Sequence, residues 1–184
     1  MSPTLATPPK ALLSWVKLEK LTLNEKTRGR LRVLHSEDFA FLVEQLTWKD
    51  EQSEEHARKA VEGYRQWMAC QIVVRDSLFL EHYFDGERRR LAMPSKYVDN
   101  VWHRHILFTE EYPQFCQLIA GEMIHHRPCT KANVQIMNSA FFLRVYNLLF
   151  GELPEIWLER EAFLTAEKSG CSGCGNGSCN CGCM

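Results

Sequence analysis

Apolar residues recur at intervals of three and four along most of this chain, a pattern that predicts amphipathic helices. The clearest stretch runs from Ser53 to Val74, where one helical face is apolar and the opposite face is charged. We interpret its aromatic residues as core rather than as a binding surface. The apolar face is formed by Ala57, Ala60, Val61, Tyr64, Trp67, Met68 and Ile72.

Weaker versions of the same pattern predict further helices. Ser36, Ser95 and Thr130 are suitable N-caps, because a serine or threonine hydroxyl can accept from the first free backbone amides of a helix. The predicted helices span Pro9 to Leu21, Ser36 to Leu46, Ser95 past His105, Tyr112 to Gly121, and Thr130 to Gly151. The fold class expected is therefore all-α, a compact multi-helix single domain.

Two stretches do not follow a clear helical pattern. Residues 27–34 are charged and ambiguous, and residues 75–93 look irregular. Within the second stretch, Asp85-Gly86 is a turn signal that could close a short hairpin.

The composition changes after Lys168 to glycine, cysteine, serine and asparagine. We expect a helical domain over residues 1–168, with its motif core at 55–160, and a disordered Gly/Cys-rich tail over residues 169–184. Thiolates at C-x-x-C and C-x-C spacing can wrap a soft metal ion, but a glycine-rich segment can equally carry no fixed ligand. Both interpretations stay open for the tail cysteines, Cys171, Cys174, Cys179, Cys181 and Cys183.

The length and net charge of the chain limit the kinds of binding partner that we expect. A chain of 184 residues suits one domain, and a formal net charge of −1 offers no field that would hold nucleic acid or an anionic membrane. No apolar run is long enough for a membrane span, and the N-terminus lacks the apolar core of a signal peptide. We expect a cytoplasmic protein without a membrane or nucleic-acid partner, while a protein partner stays open.

The candidate chemistry is concentrated in one region. Four of the seven histidines and a carboxylate, Asp99, fall within 28 residues. On a helix, His103 and His105 would lie about 160° apart, so a single ion could not easily bind both. Asp99 and His103, spaced i and i+4, can pair, whereas His105 would face the core. One residue of the pair His125-His126 should turn inward.

Three functions remain open at this point. The first is a metal-binding domain, with Zn as the first candidate and Fe or Cu as alternatives. Its site would draw on His103 or His105 and on His125 or His126, with Asp99 as a further candidate, and the tail cysteines would form a second, softer site. The second is an enzyme that uses Asp99 and His103 as catalytic residues, with or without a metal. The third is a non-catalytic interaction module in which the histidines hold helices together. All three require the two histidine segments to lie within reach of each other.

The motif Trp102-His103-x-His105-x-Leu107, with Tyr112 and Cys116 downstream, resembles the signature of the glycine-rich domain-containing protein-like family of plants, fungi and bacteria. The resemblance covers roughly residues 55–160. It implies a helical domain that often carries a glycine-rich tail, and it assigns no reaction. Outer positions agree with it: Tyr64-Arg65, Pro94-Ser95, Tyr146, Phe150-Gly151, Pro154 and Trp157.

Overall fold

A computed structural model of the chain describes residues 20–126 and 139–158. Those two ranges form eight helices and no strand, which confirms the all-α prediction. The helices are α1 (Glu25–Ser36), α2 (Ala40–Lys49), α3 (Glu54–Val73), α4 (Ser77–Phe84), α5 (Lys96–Ile106), α6 (Glu111–Ile119), α7 (Ser139–Phe150) and α8 (Glu155–Leu158). None of the helices in these ranges combines the length and the apolar character needed to cross a lipid bilayer.

Helix α3 is the centre of the fold, and it packs against α1, α2, α5, α7 and α8. From Gly63 to Val73 every residue except Arg65 is buried. Gly63 allows α5 to approach closely, because a Cβ atom at this position would lie 2.8 Å from Cγ2 of Val98. The predicted boundaries of this helix are confirmed, with the Ser53 hydroxyl accepting from the amide of His56 at 3.3 Å.

The predicted start of α2 at Ser36 is wrong. Ser36 is the last residue of α1, and its hydroxyl donates to the Val33 carbonyl at 2.9 Å instead of accepting from a new helix. The first turn of α2 is held by Asp38, whose Oδ1 accepts from the amide of Ala40 at 2.9 Å. The ambiguous stretch 27–34 lies inside α1, which begins at the N-cap Asn24.

Residues 75–93 contain a helix that the sequence pattern did not predict. Asp76 caps α4 by accepting from the amides of Leu78 and Phe79, at 2.9 and 3.3 Å. Asp85 adopts a left-handed conformation (φ 51°) and ends the helix, and Gly86 (φ 75°) follows it. Asp85-Gly86 is therefore a helix C-terminus, and the hairpin considered for this turn does not form.

The helices that carry the motif agree with the sequence. Ser95 caps α5 through the amide of Val98 at 3.4 Å, and Gly121 (φ 76°) follows α6. Gly151 (φ 88°) ends α7, as predicted from its position. The predicted helix over residues 9–21 lies almost entirely outside the described residues. So do residues 130–138 of the helix expected from Thr130, and the tail at 169–184.

Candidate metal centre

The structure brings the two histidine segments together. Asp99 and His103 on α5 and His126 after α6 each offer a ligand atom, and these atoms lie within 4.8 Å of one another. The ring centroids of His103 and His126 are 4.3 Å apart. The spatial condition on which all three sequence hypotheses depended is therefore met.

Asp99 is the middle of this group. It lies in the first turn of α5, where the helix dipole favours a carboxylate, and its side chain is only 10% exposed. One carboxylate oxygen, Oδ2, is 3.3 Å from Nδ1 of His103, and the other, Oδ1, is 3.5 Å from Nε2 of His126. Asp99 thus lies between two imidazoles.

His103 is oriented by its own helix. Its Nδ1 lies 2.8 Å from the backbone carbonyl of Asp99, and because a carbonyl only accepts, this ring nitrogen must donate. The neutral ring therefore keeps its lone pair on Nε2, the arrangement found in metal-bound histidines that are fixed by a second hydrogen bond. The predicted pairing of Asp99 and His103 is present, with the backbone oxygen making the shorter contact. The His103 side chain is 50% exposed and forms the solvent side of the group.

Two atoms of the group lack hydrogen bonds. Oδ1 of Asp99 and Nε2 of His126 are both buried, and neither has a hydrogen-bond partner among the described residues. Each such atom costs on the order of 1–3 kcal/mol when nothing satisfies it. Their separation of 3.5 Å is long for a hydrogen bond. It is close to the roughly 3.3–3.5 Å between two ligand atoms of a tetrahedral Zn²⁺ with bonds of about 2.0–2.1 Å.

Two consecutive hydrogen bonds lead from α5 through α6 to the segment that carries His126. Nε1 of Trp102 donates to the Tyr112 hydroxyl at 2.7 Å, and that hydroxyl donates to the carbonyl of Ile124 at 2.6 Å. The Trp102 ring also meets the His126 ring at a centroid distance of 4.6 Å. The sequence marked Tyr112 as the start of a helix and as part of the motif. It carried no signal that this hydroxyl bonds a backbone carbonyl twelve residues away.

His105 lies elsewhere, on the core face of α5. It is 2% exposed, and its Nδ1 is hydrogen-bonded to the Tyr64 hydroxyl at 2.8 Å. Burial lowers the pKa of His105 to about 4, so the ring is neutral near pH 7. Aromatic rings surround it: Phe39, Phe41, Tyr64, Tyr112 and Phe115.

The other candidate ligands are not in the group. His125 is exposed, so His126 is the member of that pair that turns inward. The tail cysteines Cys171, Cys174, Cys179, Cys181 and Cys183 lie outside the described residues. Within the described ranges the cysteines are Cys70 and Cys116, both buried thiols, and burial raises the pKa of each. Both therefore act as small hydrophobic residues of the core.

A surface groove between α2 and the start of α3 is separate from this group. It is lined by Ala40, Val43, Glu44, Thr47, Gln52, Glu54 and Arg58, and none of the three candidate ligands borders it.

A protein-family model matches a span of the chain that contains the whole of this site. The model of the UCP032817-like family matches residues 30–150, about two thirds of the chain. The chain belongs to the UCP032817-like family. The matched span includes most of α1, all of α2 to α7, and the three candidate ligands. No curated protein matches the chain, and neither does any solved structure.

Proposed function

We propose that this UCP032817-like protein is a transition-metal-binding helical domain whose ligands are Asp99, His103 and His126. The observation that carries the proposal is the pair of buried atoms, Oδ1 of Asp99 and Nε2 of His126, that face each other at 3.5 Å without a hydrogen-bond partner in the described ranges. A bound cation would satisfy both atoms at once. The hydrogen bond that fixes His103 supports the same role.

Zn²⁺ is the first candidate ion. Two imidazoles and one carboxylate form a ligand set that zinc accepts in tetrahedral geometry. The same set also suits Fe²⁺, and imidazole suits Cu as well, so these ions are the alternatives.

The tail cysteines remain a proposed second, softer site, which requires a reducing location such as the cytoplasm to keep them as thiols. The resemblance to the glycine-rich domain-containing protein-like family also remains a proposal, based on the motif at Trp102–Leu107.

A metal-dependent enzyme is the second candidate, and one observation favours it. Three protein ligands leave a tetrahedral ion with one further position, and the half-exposed His103 lies on the solvent side of the group. Catalytic zinc sites keep such a position for water or substrate. The third hypothesis, a structural role for the motif, fits Trp102, Tyr112 and His105, because each makes a buried hydrogen bond.

Metal content tests the proposal. The protein should be the 184-residue chain with Cys171→Ser, Cys174→Ser, Cys179→Ser, Cys181→Ser and Cys183→Ser (the tail-serine protein), so that the tail does not bind the added ion. After equilibration with Zn²⁺ and removal of free metal, elemental analysis should find one zinc per chain. His103→Ala should lower the affinity by at least about tenfold, since even the partners of ligands reach that effect.

The control is His82→Ala, which changes another exposed helical histidine that is not in the group. This variant should keep the affinity of the tail-serine protein. Absence of zinc in the tail-serine protein, or equal losses in the two histidine variants, would contradict the proposal.

A further inference from the structure

The segment that carries His126 has no regular secondary structure of its own. Residues 122–126 follow Gly121 without forming a helix, yet His126 must be placed accurately to reach Asp99. Two contacts attach it to the rest of the fold. Arg75, in the turn between α3 and α4, donates to Glu122 at 2.9 Å, and the carbonyl of Ile124 accepts from the Tyr112 hydroxyl of α6 at 2.6 Å. The Glu122 attachment is at the surface, because the Glu122 side chain is 64% exposed, whereas Ile124 and Tyr112 are buried.

The Tyr112 hydroxyl takes part in two buried hydrogen bonds. It accepts from Nε1 of Trp102 and donates its single proton to Ile124. Burial raises the pKa of Tyr112, so the hydroxyl keeps the proton that it donates. The direction of both hydrogen bonds is therefore determined, and the hydroxyl can hold the segment in one arrangement.

Trp102 connects this hydroxyl with the ligands. It precedes His103 and lies three residues after Asp99 on α5, and its ring packs on Trp67 at 4.5 Å and on His126 at 4.6 Å. The two hydrogen bonds thus join the helix that carries two of the ligands to the segment that carries the third.

We infer that Tyr112 is a positioning residue of the metal site, holding the segment 121–126 against α5 so that His126 reaches the ion. The inference rests on the proposed function. A metal site needs its ligands within about 0.5 Å of the binding geometry, and groups that hold ligands typically affect affinity by about 10- to 100-fold. Without the hydroxyl, His126 would have to be ordered by the ion itself, at the expense of affinity.

The first test compares two buried tyrosines in the tail-serine protein, with Co²⁺ as the probe because its visible spectrum reports ligand geometry. Tyr112→Phe should weaken Co²⁺ binding about tenfold and change the absorption bands of the bound ion. The matched control is Tyr146→Phe, which also removes a buried tyrosine hydroxyl, in this case one that donates to Oε1 of Gln66 at 2.7 Å. The control should keep both the affinity and the spectrum.

A second measurement needs no substitution of the tyrosine. If the hydroxyl and the ion hold the same segment, bound metal must in return protect the Trp102–Tyr112 hydrogen bond, because coupling between two sites is reciprocal. Adding Zn²⁺ should therefore slow exchange of the Trp102 Nε1 proton about fivefold more than that of Trp67. The Trp67 proton is an internal control, since it is donated to the carbonyl of Ala92 at 3.2 Å.

The results of these experiments distinguish failure of the proposed metal-binding function from failure of the role inferred for Tyr112. If the tail-serine protein binds neither ion, the proposed function fails and the inference fails with it. If it binds and Tyr112→Phe retains both the affinity and the spectrum, the inference alone is overturned. If Tyr112→Phe does not fold, the exchange measurement decides, and equal slowing of the two tryptophan protons overturns the role assigned to Tyr112.

Discussion

Acid should destabilise this protein through His105, and the size of the effect follows from its surroundings. The ring is 2% exposed among aromatic side chains, and burial lowers its pKa from 6.5 to about 4. The unfolded chain therefore binds a proton at His105 over a pH range in which the folded protein does not. Stability from this residue is complete above about pH 6.5 and is lost as the pH falls towards 4.

The magnitude can be calculated from the two pKa values. At 1.36 kcal/mol per pKa unit, the free energy of unfolding should fall by about 2 kcal/mol by pH 5 and about 3 kcal/mol by pH 4. Other groups also titrate in this range, so the contribution of His105 must be taken as a difference between two proteins.

The assay is urea unfolding from pH 7.5 to pH 4, with a chelator present so that no metal contributes. His105→Gln removes the titration and keeps a side chain that can hydrogen-bond the Tyr64 hydroxyl. We expect the variant to be less stable at pH 7.5 and to lose about 2–3 kcal/mol less than the wild type on acidification. His82→Gln, at an exposed position, should follow the wild type. Parallel pH curves for the wild type and His105→Gln would refute the reasoning.

Three further predictions concern the helices, and chemical unfolding tests each of them. Gly63→Ala should cost about 1–3 kcal/mol, because the new Cβ would lie 2.8 Å from the Val98 side chain; an unchanged or higher stability would contradict the close packing of α3 and α5. Gly29→Ala is the matched change in open space, with no atom within 4 Å of the new Cβ, and should stabilise α1 by about 0.5–1 kcal/mol. Asp76→Ala should cost about 2–4 kcal/mol, since it leaves two amides of α4 and the amide of Asn24 without their acceptor; a loss below about 0.5 kcal/mol would contradict this account of the cap.

Helical periodicity was sufficient to predict a helix that is long and amphipathic. It predicted α3 with its cap and separated His103 from His105, because residues two positions apart point to opposite sides of a helix. The N-cap prediction at Ser36 failed because a serine hydroxyl can bond at either end of a helix, and here it donates to the Val33 carbonyl. Helix α4 escaped prediction because it has only eight residues and is stabilised by a buried aspartate that also bonds Asn24, far away in the chain.

The site was predicted less completely than the fold. The sequence indicated that one member of the pair His125-His126 would turn inward, but the choice depends on Tyr112 and its bond to Ile124. Such a contact is tertiary, and no local pattern encodes it. The pairing of Asp99 with His103 could be predicted from their i, i+4 spacing. The contact between His126 and the second carboxylate oxygen of Asp99 could not.

The most direct test of the central claim compares two neighbouring histidines. Isothermal titration of Zn²⁺ into the tail-serine protein should give one site, and His126→Ala should weaken it by at least about tenfold. His125→Ala should leave the affinity unchanged, because His125 is exposed and outside the group. Equal affinities in the two variants, or a loss confined to His125→Ala, would contradict a metal centre formed by Asp99, His103 and His126.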